Sequence, residues 1–391
     1  MAERIGVCHV ITMLELGGAQ QNTLYTVGHL DRERFAPSLL AGPGGLLDDE
    51  ARALTGVRVR FVSSLVRPIR PASDIRALGE LTRQLREIRP RIVHTHSSKA
   101  GILGRWAAHR AGVPVIVHSI HGFGFHPGQN RLVHAAYLAA ERAAARITTH
   151  FVAVSRANLE EGVRRKVFAR DRARVIRSGI RLEPFSDAAR ARHGAPRAVG
   201  PLRRELGLGP DVPLAGMIGC LKPQKAPEDF VRVAALVAAA LPSARFVAAG
   251  DGELRPAVEA AIRRRGLEGR FTLLGWRRDV PALLADLDVL VLTSRWEGLP
   301  RVFPEAMAAG VPIVAFRVDG APEAVAEGEN GWLHEPGDIE GIAGHVSELL
   351  ADPARARAMG LRGRERVEEW DINAMVRRQE DLYTELIGAR A

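Results

Sequence analysis

Cysteine is nearly absent from this sequence: Cys8 and Cys220 are the only two in 391 residues. Both are expected in buried strands, which disfavours a disulfide framework and points to a reducing cytoplasm. No apolar run approaches the ~20 residues that a bilayer-crossing helix needs. The opening "MAERIGVCHVI" has neither the apolar core of a secretory leader nor a cleavage site, so a first β-strand is expected there. No fixed-period repeat occurs, which argues against solenoids and propellers. The full Gly-x-Gly-x-x-Gly fingerprint with its spaced acidic residue is also missing, which disfavours a redox dinucleotide. Lysine is scarce: Lys99, Lys166, Lys222 and Lys225 are the only four among 55 basic residues.

The charge that is present is unevenly spread. Residues 1–200 carry 31 basic and 16 acidic residues, net +15, whereas residues 201–391 carry 24 and 29, net −5. A basic half attracts an anionic partner such as a phospholipid surface, a phosphorylated acceptor or nucleic acid. The plainer reading is an arginine-rich composition without a partner. The length suits two domains, and the apolar and charged fractions are those of a soluble globular chain.

Both halves alternate apolar strands with helical periods. "IGVCHVI", "RIVHTH", "PVIVHSI", "HFVAVS" and "ARVIR" are the strands of the first half; "PLAGMIG", "ARFVAAG", "RFTLLG", "DVLVLTS" and "VPIVAF" are those of the second. Between strands, "SDIRALGELTRQLREI" puts Ile75, Leu78, Leu81, Leu85 and Ile88 on one helical face. Continuous apolar strands alternating with helices predict parallel sheets covered on both faces, in two Rossmann-like α/β domains facing a central cleft. The strand-poor, Pro- and Gly-rich stretch after residue 182 divides the chain. The domains expected are 1–185, a linker over 186–200, 201–370, and a closing helix over 371–391. That helix has Ile372, Met375, Val376, Leu382 and Leu386 as its apolar positions, and a return across the first domain is one arrangement it allows.

Several turns could carry chemistry. Gly17 and Gly18 follow the first strand and precede a helix, where glycines let a ligand approach and free N–H groups favour an anion. Lys222 and Lys225 lie in a proline-bounded turn after the second domain's first strand, where a lysine can neutralise a diphosphate. Two solvated surface lysines are the plainer reading. Gly250 opens a second strand-to-helix turn, "GDGEL". In "EGLPRVFPEAMAAG", Pro304 suits the first position of a helix, which puts Glu305 in its first turn; a carboxylate there can accept the two hydroxyls of a ribose. Helix capping by Glu305 is the simpler alternative, but it explains neither Glu297 nor the stiff loop from Gly298 through Leu299, Pro300 and Arg301 to Val302.

"EGLPRVFPEAMAAGVPIVA" resembles the E-x7-E signature of retaining family 4 glycosyltransferases, which have the GT-B fold. "IGCLKPQKAPEDF", "GDGEL", "LLGWRRDVPALLADLDVLVLTS", "VDGAPEAVAEGENGWLHEPGD", "VSRANLEEGV" and "VIRSGIRLEPF" resemble further segments of that family, so the likeness covers nearly the whole chain. The resemblance implies that Glu305 binds the ribose of a nucleotide-sugar and that Glu297 contacts the transferred sugar, with the loop Gly298–Val302 beside it. Lys225 would stabilise the departing diphosphate, and Trp276 and Gly250 would line the nucleotide. The family arginine falls on Cys220, and Lys222 is near enough to substitute. "VHTHSSKAGILGRWAAHRAGVPVIVHSIHGFGFH" looks like the subset acting on cell-envelope or exopolysaccharide precursors, with His121 matching the family histidine near the sugar. His94 and His96 share a strand face and suggest a metal, but no third ligand of clear spacing follows. The family needs no metal for transfer, so no cofactor is expected.

The expectation is therefore a cytoplasmic retaining hexosyltransferase, peripheral on the membrane, using a nucleotide-sugar (UDP being the common nucleotide of the family) and a lipid-linked or glycan acceptor, with no nucleic-acid partner. Two alternatives use the same residues differently. A glycoside hydrolase would take Glu297 and Glu305 as acid and nucleophile, but it gives the lysines no task. A basic nucleic-acid-binding protein explains the charge, but it explains neither the glutamates nor the two-domain plan.

Overall fold

The computed structural model describes residues 4–126, 128–193 and 199–389. Two units make up the chain: Met1–Gly179 with Ile372–Ala391, and Ile180–Asp371. Strands of the first are β1 (Ile5–Met13), β2 (Phe35–Gly42), β3 (Arg58–Phe61), β4 (Ile92–His96), β5 (Val115–Ile120), β6 (His150–Ala153) and β7 (Ala173–Val175). They form one sheet in the order β3-β2-β1-β4-β5-β6-β7, with every neighbouring pair parallel. The order reverses between β1 and β4, the switch point beside which such sheets bind ligands.

The strands β2 and β3 lack the apolar continuity of the rest. Pro37 interrupts β2, yet the pairing with β3 begins only at Ser38, so the missing proline N–H faces no partner on that side. The helix Pro71–Ile88 buries Leu81 and Leu85 as its period predicts. Ile75, expected on the same face, is instead 71% exposed, because the buried stripe runs through Ala77, Thr82 and Gln84.

The last helix, Ile372–Gly388, belongs to the first unit. Its Ile372, Met375, Val376, Leu382 and Tyr383 pack with Val7, Ile92, Val117 and Val152 of the sheet. The opposite face is covered by the helices Pro71–Ile88 and Ser98–Arg110, whose Leu81, Leu85 and Ala107 meet Val10, Val93 and Ile116.

The second unit's strands are β8 (Leu214–Ile218), β9 (Arg245–Ala249), β10 (Phe271–Gly275), β11 (Val289–Leu292), β12 (Ile313–Phe316) and β13 (Gly331–His334). Their order is β10-β9-β8-β11-β12-β13, again all parallel. The switch point lies between β8 and β11. The expected linker over 186–200 is helical to His193 as part of Glu183–His193. That helix packs on Val280–Asp286 and Val302–Ala309 of the second unit, and Arg192 donates to the carbonyls of Gly310 and Asp288, each at 3.2 Å. The remaining linker positions 194–198 lie outside the described residues, and the short helix Pro201–Glu205 follows them.

Candidate active site

Chain segments leaving β8 and β11, the two strands flanking the second switch point, meet in one half-buried contact. After β8 come Cys220, Lys222 and a short 3-10 turn, Pro223–Lys225. Cys220 is half-buried in this loop and not in a strand as expected, because β8 ends at Ile218. Lys222 is also half-buried, and its carbonyl accepts the Lys225 N–H at 2.9 Å. Ala226 takes a left-handed conformation at φ 42°, which an L side chain adopts at a cost. Thr293, just past β11, holds it there: its hydroxyl is shared between the carbonyls of Ala226 (3.0 Å) and Lys225 (3.2 Å).

Glu297 is 7% exposed and forms a close ion pair with Lys225. Gln224 Nε2 donates to Glu297 Oε2 at 3.3 Å and to the Trp296 carbonyl at 3.0 Å. The Glu297 N–H donates to Asp319 Oδ2 at 2.5 Å, and Asp319 is itself left-handed at φ 41°. Two strained residues on separate loops thus brace one pair of a half-buried lysine and a buried glutamate, a pattern typical of functional sites.

The loop continues buried through Gly298, Leu299 and Pro300. Among the described residues the N–H groups of Gly298 and Leu299 have no recorded acceptor. The helix starts at Val302, so Pro304 is its third residue and not its first. Proline is tolerated there because first-turn N–H groups lack partners within the helix anyway. Glu305 is buried in this turn, and burial pushes its carboxyl above the usual carboxylate range while Arg301 pulls it back. Arg301 Nε lies 3.2 Å from Glu305 Oε1, yet neither Nε nor Nη1 has an aligned hydrogen-bond partner among the described residues.

Gly250 packs against the turn from below. Its φ is +132°, and a Cβ there would lie 2.1 Å from the Gly219 carbonyl oxygen, so only glycine fits. Its N–H donates to the Gly275 carbonyl at 2.7 Å, which sets Trp276, 45% exposed, next to it in the chain of contacts.

In the first unit, Gly17 caps and Gly18 begins the helix Gly18–His29 after β1. The cap backbone is extended, so no left-handed turn requires glycine at Gly17. His121 follows β5 and is half-buried; burial lowers its pKa to about 4. It belongs to a cluster that sequence spacing does not reveal. His9 on β1 and His94 and His96 on β4 bring ligand-capable nitrogens within 4.8 Å of one another, so the third histidine missing beside His94 and His96 is His9. Burial holds His9 down to about 3, and His94 and His96 well below the ordinary histidine value. A cavity of about 20 Å³, room for roughly one water, is lined by Asn22, Thr23, His96, Ser119, His121 and Gln379.

The sequence profile described as Glycosyltransferase Family 4 matches residues 16–184, and that described as Glycosyl transferases group 1 matches residues 212–352. The UDP-Gal:alpha-D-GlcNAc-diphosphoundecaprenol alpha-1,3-galactosyltransferase of Escherichia coli is 33% identical over 98% of this chain and 98% of its own. The chain belongs to glycosyltransferase family 4. The putative glycosyltransferase EpsD of Bacillus subtilis is 28% identical over 75% of this chain and 76% of its own. Among solved structures, that of Anabaena Alr3699/HepE in complex with UDP and glucose superposes with a TM-score of 0.80 at 20% identity, covering 97% of this chain and 100% of that one. Sucrose-phosphate synthase from Thermosynechococcus elongatus gives 0.84 at 22% identity, covering 99% and 100%. At such identities the structures speak for the fold, which is GT-B.

As a family 4 glycosyltransferase fold, the second unit joins Lys225, Glu297 and Gln224 directly, with Arg301 and Glu305 following at the end of the same loop and in the first turn of the helix after it. Gln224 and Asp319 were not singled out from sequence. Asp319 sits in "VDGAPEA", a segment whose resemblance to the family was the one available signal. His121 and Gly17–Gly18 belong to the first unit.

Proposed function

We propose that this glycosyltransferase retains anomeric configuration and transfers a hexosyl group from a nucleotide-sugar, UDP-linked, to a lipid-linked or glycan acceptor in cell-envelope polysaccharide synthesis. The observation that carries this reading is the Lys225–Glu297 ion pair, a half-buried lysine on a buried glutamate, formed by the segments that leave β8 and β11 at the switch point. An ammonium has three donors and Glu297 uses one, which leaves Lys225 able to bind the oxygens of a departing diphosphate. The N–H groups of Gly298 and Leu299 and the guanidinium of Arg301 are further donors in the same loop. Glu305 accepts the ribose hydroxyls, Glu297 the hydroxyls of the sugar. The protein's part in transfer is positioning and electrostatic stabilisation of charge on the leaving group. Lysine and backbone donors serve the diphosphate without a metal.

The named substrates of the Escherichia coli relative, UDP-Gal and a diphosphoundecaprenol-linked sugar, support the choice of donor nucleotide and of acceptor class. The acceptor belongs to the first unit, whose excess of basic residues suits a diphosphate headgroup in an anionic bilayer. Leu132 and Val133, exposed beside Arg131 at the start of the helix Arg131–Ala145, offer apolar anchors for the same surface, on the cytoplasmic leaflet. No helix among the described residues is long and apolar enough to cross a membrane.

Incubation with a panel of UDP-hexoses and undecaprenyl-diphosphate sugars tests the proposal. Acceptor-dependent UDP release with an α-linked product supports it. Acceptor-independent hydrolysis, or salt-sensitive oligonucleotide binding without turnover, overturns it. Sedimentation with phosphatidylglycerol vesicles at low salt tests the membrane surface, and loss of binding on Leu132→Ser together with Val133→Ser is expected.

A further inference from the structure

The first unit contains an unbroken chain of hydrogen-bonded rings, of which His121 is the half-buried end. Ser119 Oγ lies 2.7 Å from His94 Nε2, and His94 Nδ1 lies 2.5 Å from the Tyr383 hydroxyl. The hydroxyl is 3.3 Å from His9 Nε2, His9 Nδ1 is 2.9 Å from His96 Nε2, and His96 Nδ1 is 3.1 Å from His121 Nε2. Both ring nitrogens of His9, His94 and His96 are therefore engaged within the chain. A metal at this trio would have to break those contacts, so the geometry favours a hydrogen-bonded chain over a metal centre.

A neutral imidazole has one donor nitrogen and one acceptor, so fixing the tautomer of one ring fixes that of the next. Tyr383 sets the direction. A phenol is a much stronger acid than a neutral imidazole N–H, so the shortest contact is the phenol donating to His94 Nδ1. Gln379 Oε1, at 3.3 Å, competes for the same proton from further away. With its proton committed, the Tyr383 oxygen accepts from His9 Nε2–H; His9 Nδ1 accepts from His96 Nε2–H; and His96 Nδ1 accepts from His121 Nε2–H. For the Nδ1 of His121 there is no recorded partner among the described residues.

We propose that Tyr383, on the last helix, is a positioning residue that locks His121 in the Nε2–H tautomer and so presents a bare Nδ1 to accept a hydroxyl of the sugar substrate. The tautomer follows from the chain of contacts together with the acidity of the phenol within it; only its effect on turnover rests on the transfer reading above.

Nitrogen-15 NMR of the full-length protein labelled at histidine tests it directly. In the wild type, His121 is expected to carry its proton on Nε2. Tyr383→Phe keeps the ring against Phe35, whose centroid is 6.1 Å away, but removes the hydroxyl, and the His121 resonances are expected to report a mixture of tautomers. With a nucleotide-sugar substrate, Tyr383→Phe is expected to lower kcat about threefold to tenfold, the scale of one hydrogen bond, with the donor KM little changed. In a His121→Asn background the same substitution is expected to have no further effect. A proton on Nδ1 of His121 in the wild type, or an unchanged tautomer in Tyr383→Phe, overturns the proposal. Should Tyr383→Phe not fold, the wild-type spectrum decides alone. An Nε2–H signature in a protein that turns over no nucleotide-sugar sinks the transfer reading and leaves this one standing.

Discussion

The two units wind the same kind of parallel sheet, yet they furnish their switch points with opposite chemistry. The second sets full charges against each other: Lys225 with Glu297, and Arg301 beside Glu305. The first sets neutral rings against each other, with His9, His94, His96 and His121 all held below their usual pKa by burial. One topology therefore carries a cluster of ion pairs at one switch point and a line of hydrogen-bonded neutral rings at the other. The fold supplies strand ends at a reversal of order; the residues placed on them decide what is recognised.

Acid should expose this contrast most strongly. A histidine whose folded pKa lies below its unfolded value stabilises the fold above about pH 6.5, and that stability is lost as pH falls toward the folded value. For His9 and His121 the folded values are about 3 and about 4, so the losses accumulate from about pH 6.5 down to those values. Each such group withdraws about 1.4 kcal/mol per pH unit over that range. Glu305 behaves oppositely, because its raised pKa favours the fold when protonated and so costs nothing on acidification. Hydrogen exchange between pH 7 and pH 4.5 is expected to show the first unit opening before the second; the reverse order would break the comparison.

Next in size is Lys225→Ala. Loss of the ammonium should reduce kcat by more than tenfold and on the order of a hundredfold, while circular dichroism shows a folded protein. A variant with near-normal kcat would remove the lysine from the chemistry and leave the second switch point without its defining charge. Glu305→Ala should weaken UDP binding about tenfold, the scale of a lost pair of hydrogen bonds to a carboxylate, measured by titration calorimetry. The smallest effect concerns the surface: Ile75→Ser should change stability by less than about 0.5 kcal/mol, which thermal unfolding can check against the buried Leu81 on the same helix.

Much of this architecture can be read from the chain. Ten strands announce themselves as apolar runs, and two sheets follow from their alternation with helices. The strands β2, β3 and β13 do not, because Pro37, the arginines of "RVRF" and the glycine and histidine that flank the two apolar residues of "GWLH" hide them. Lys225, Glu297 and Glu305 are legible because each sits in a recognisable local segment. Their supports are not: Asp319 meets the Glu297 backbone from 22 residues away, and Tyr383 reaches His94 across 289. His9 pairs with His94 only because β1 lies beside β4, a fact of strand order that no local pattern encodes. The helix Glu183–His193, much of it expected as linker, is hidden for a similar reason. Its Pro- and Ala-rich composition resembles a linker, but Phe185, Ala188 and Ala189 find partners on a surface formed by later residues.

Return of the last helix to the first sheet has a consequence for biosynthesis. A ribosome delivers the amino-terminal part first, but that part lacks Ile372, Val376 and Tyr383 until all of Ile180–Asp371 has been made. The contiguous stretch Ile180–Asp371 is complete earlier. The part begun first is therefore finished last, and meanwhile the apolar face around Val7, Ile92 and Val117 stands open to chaperones and to neighbouring nascent chains.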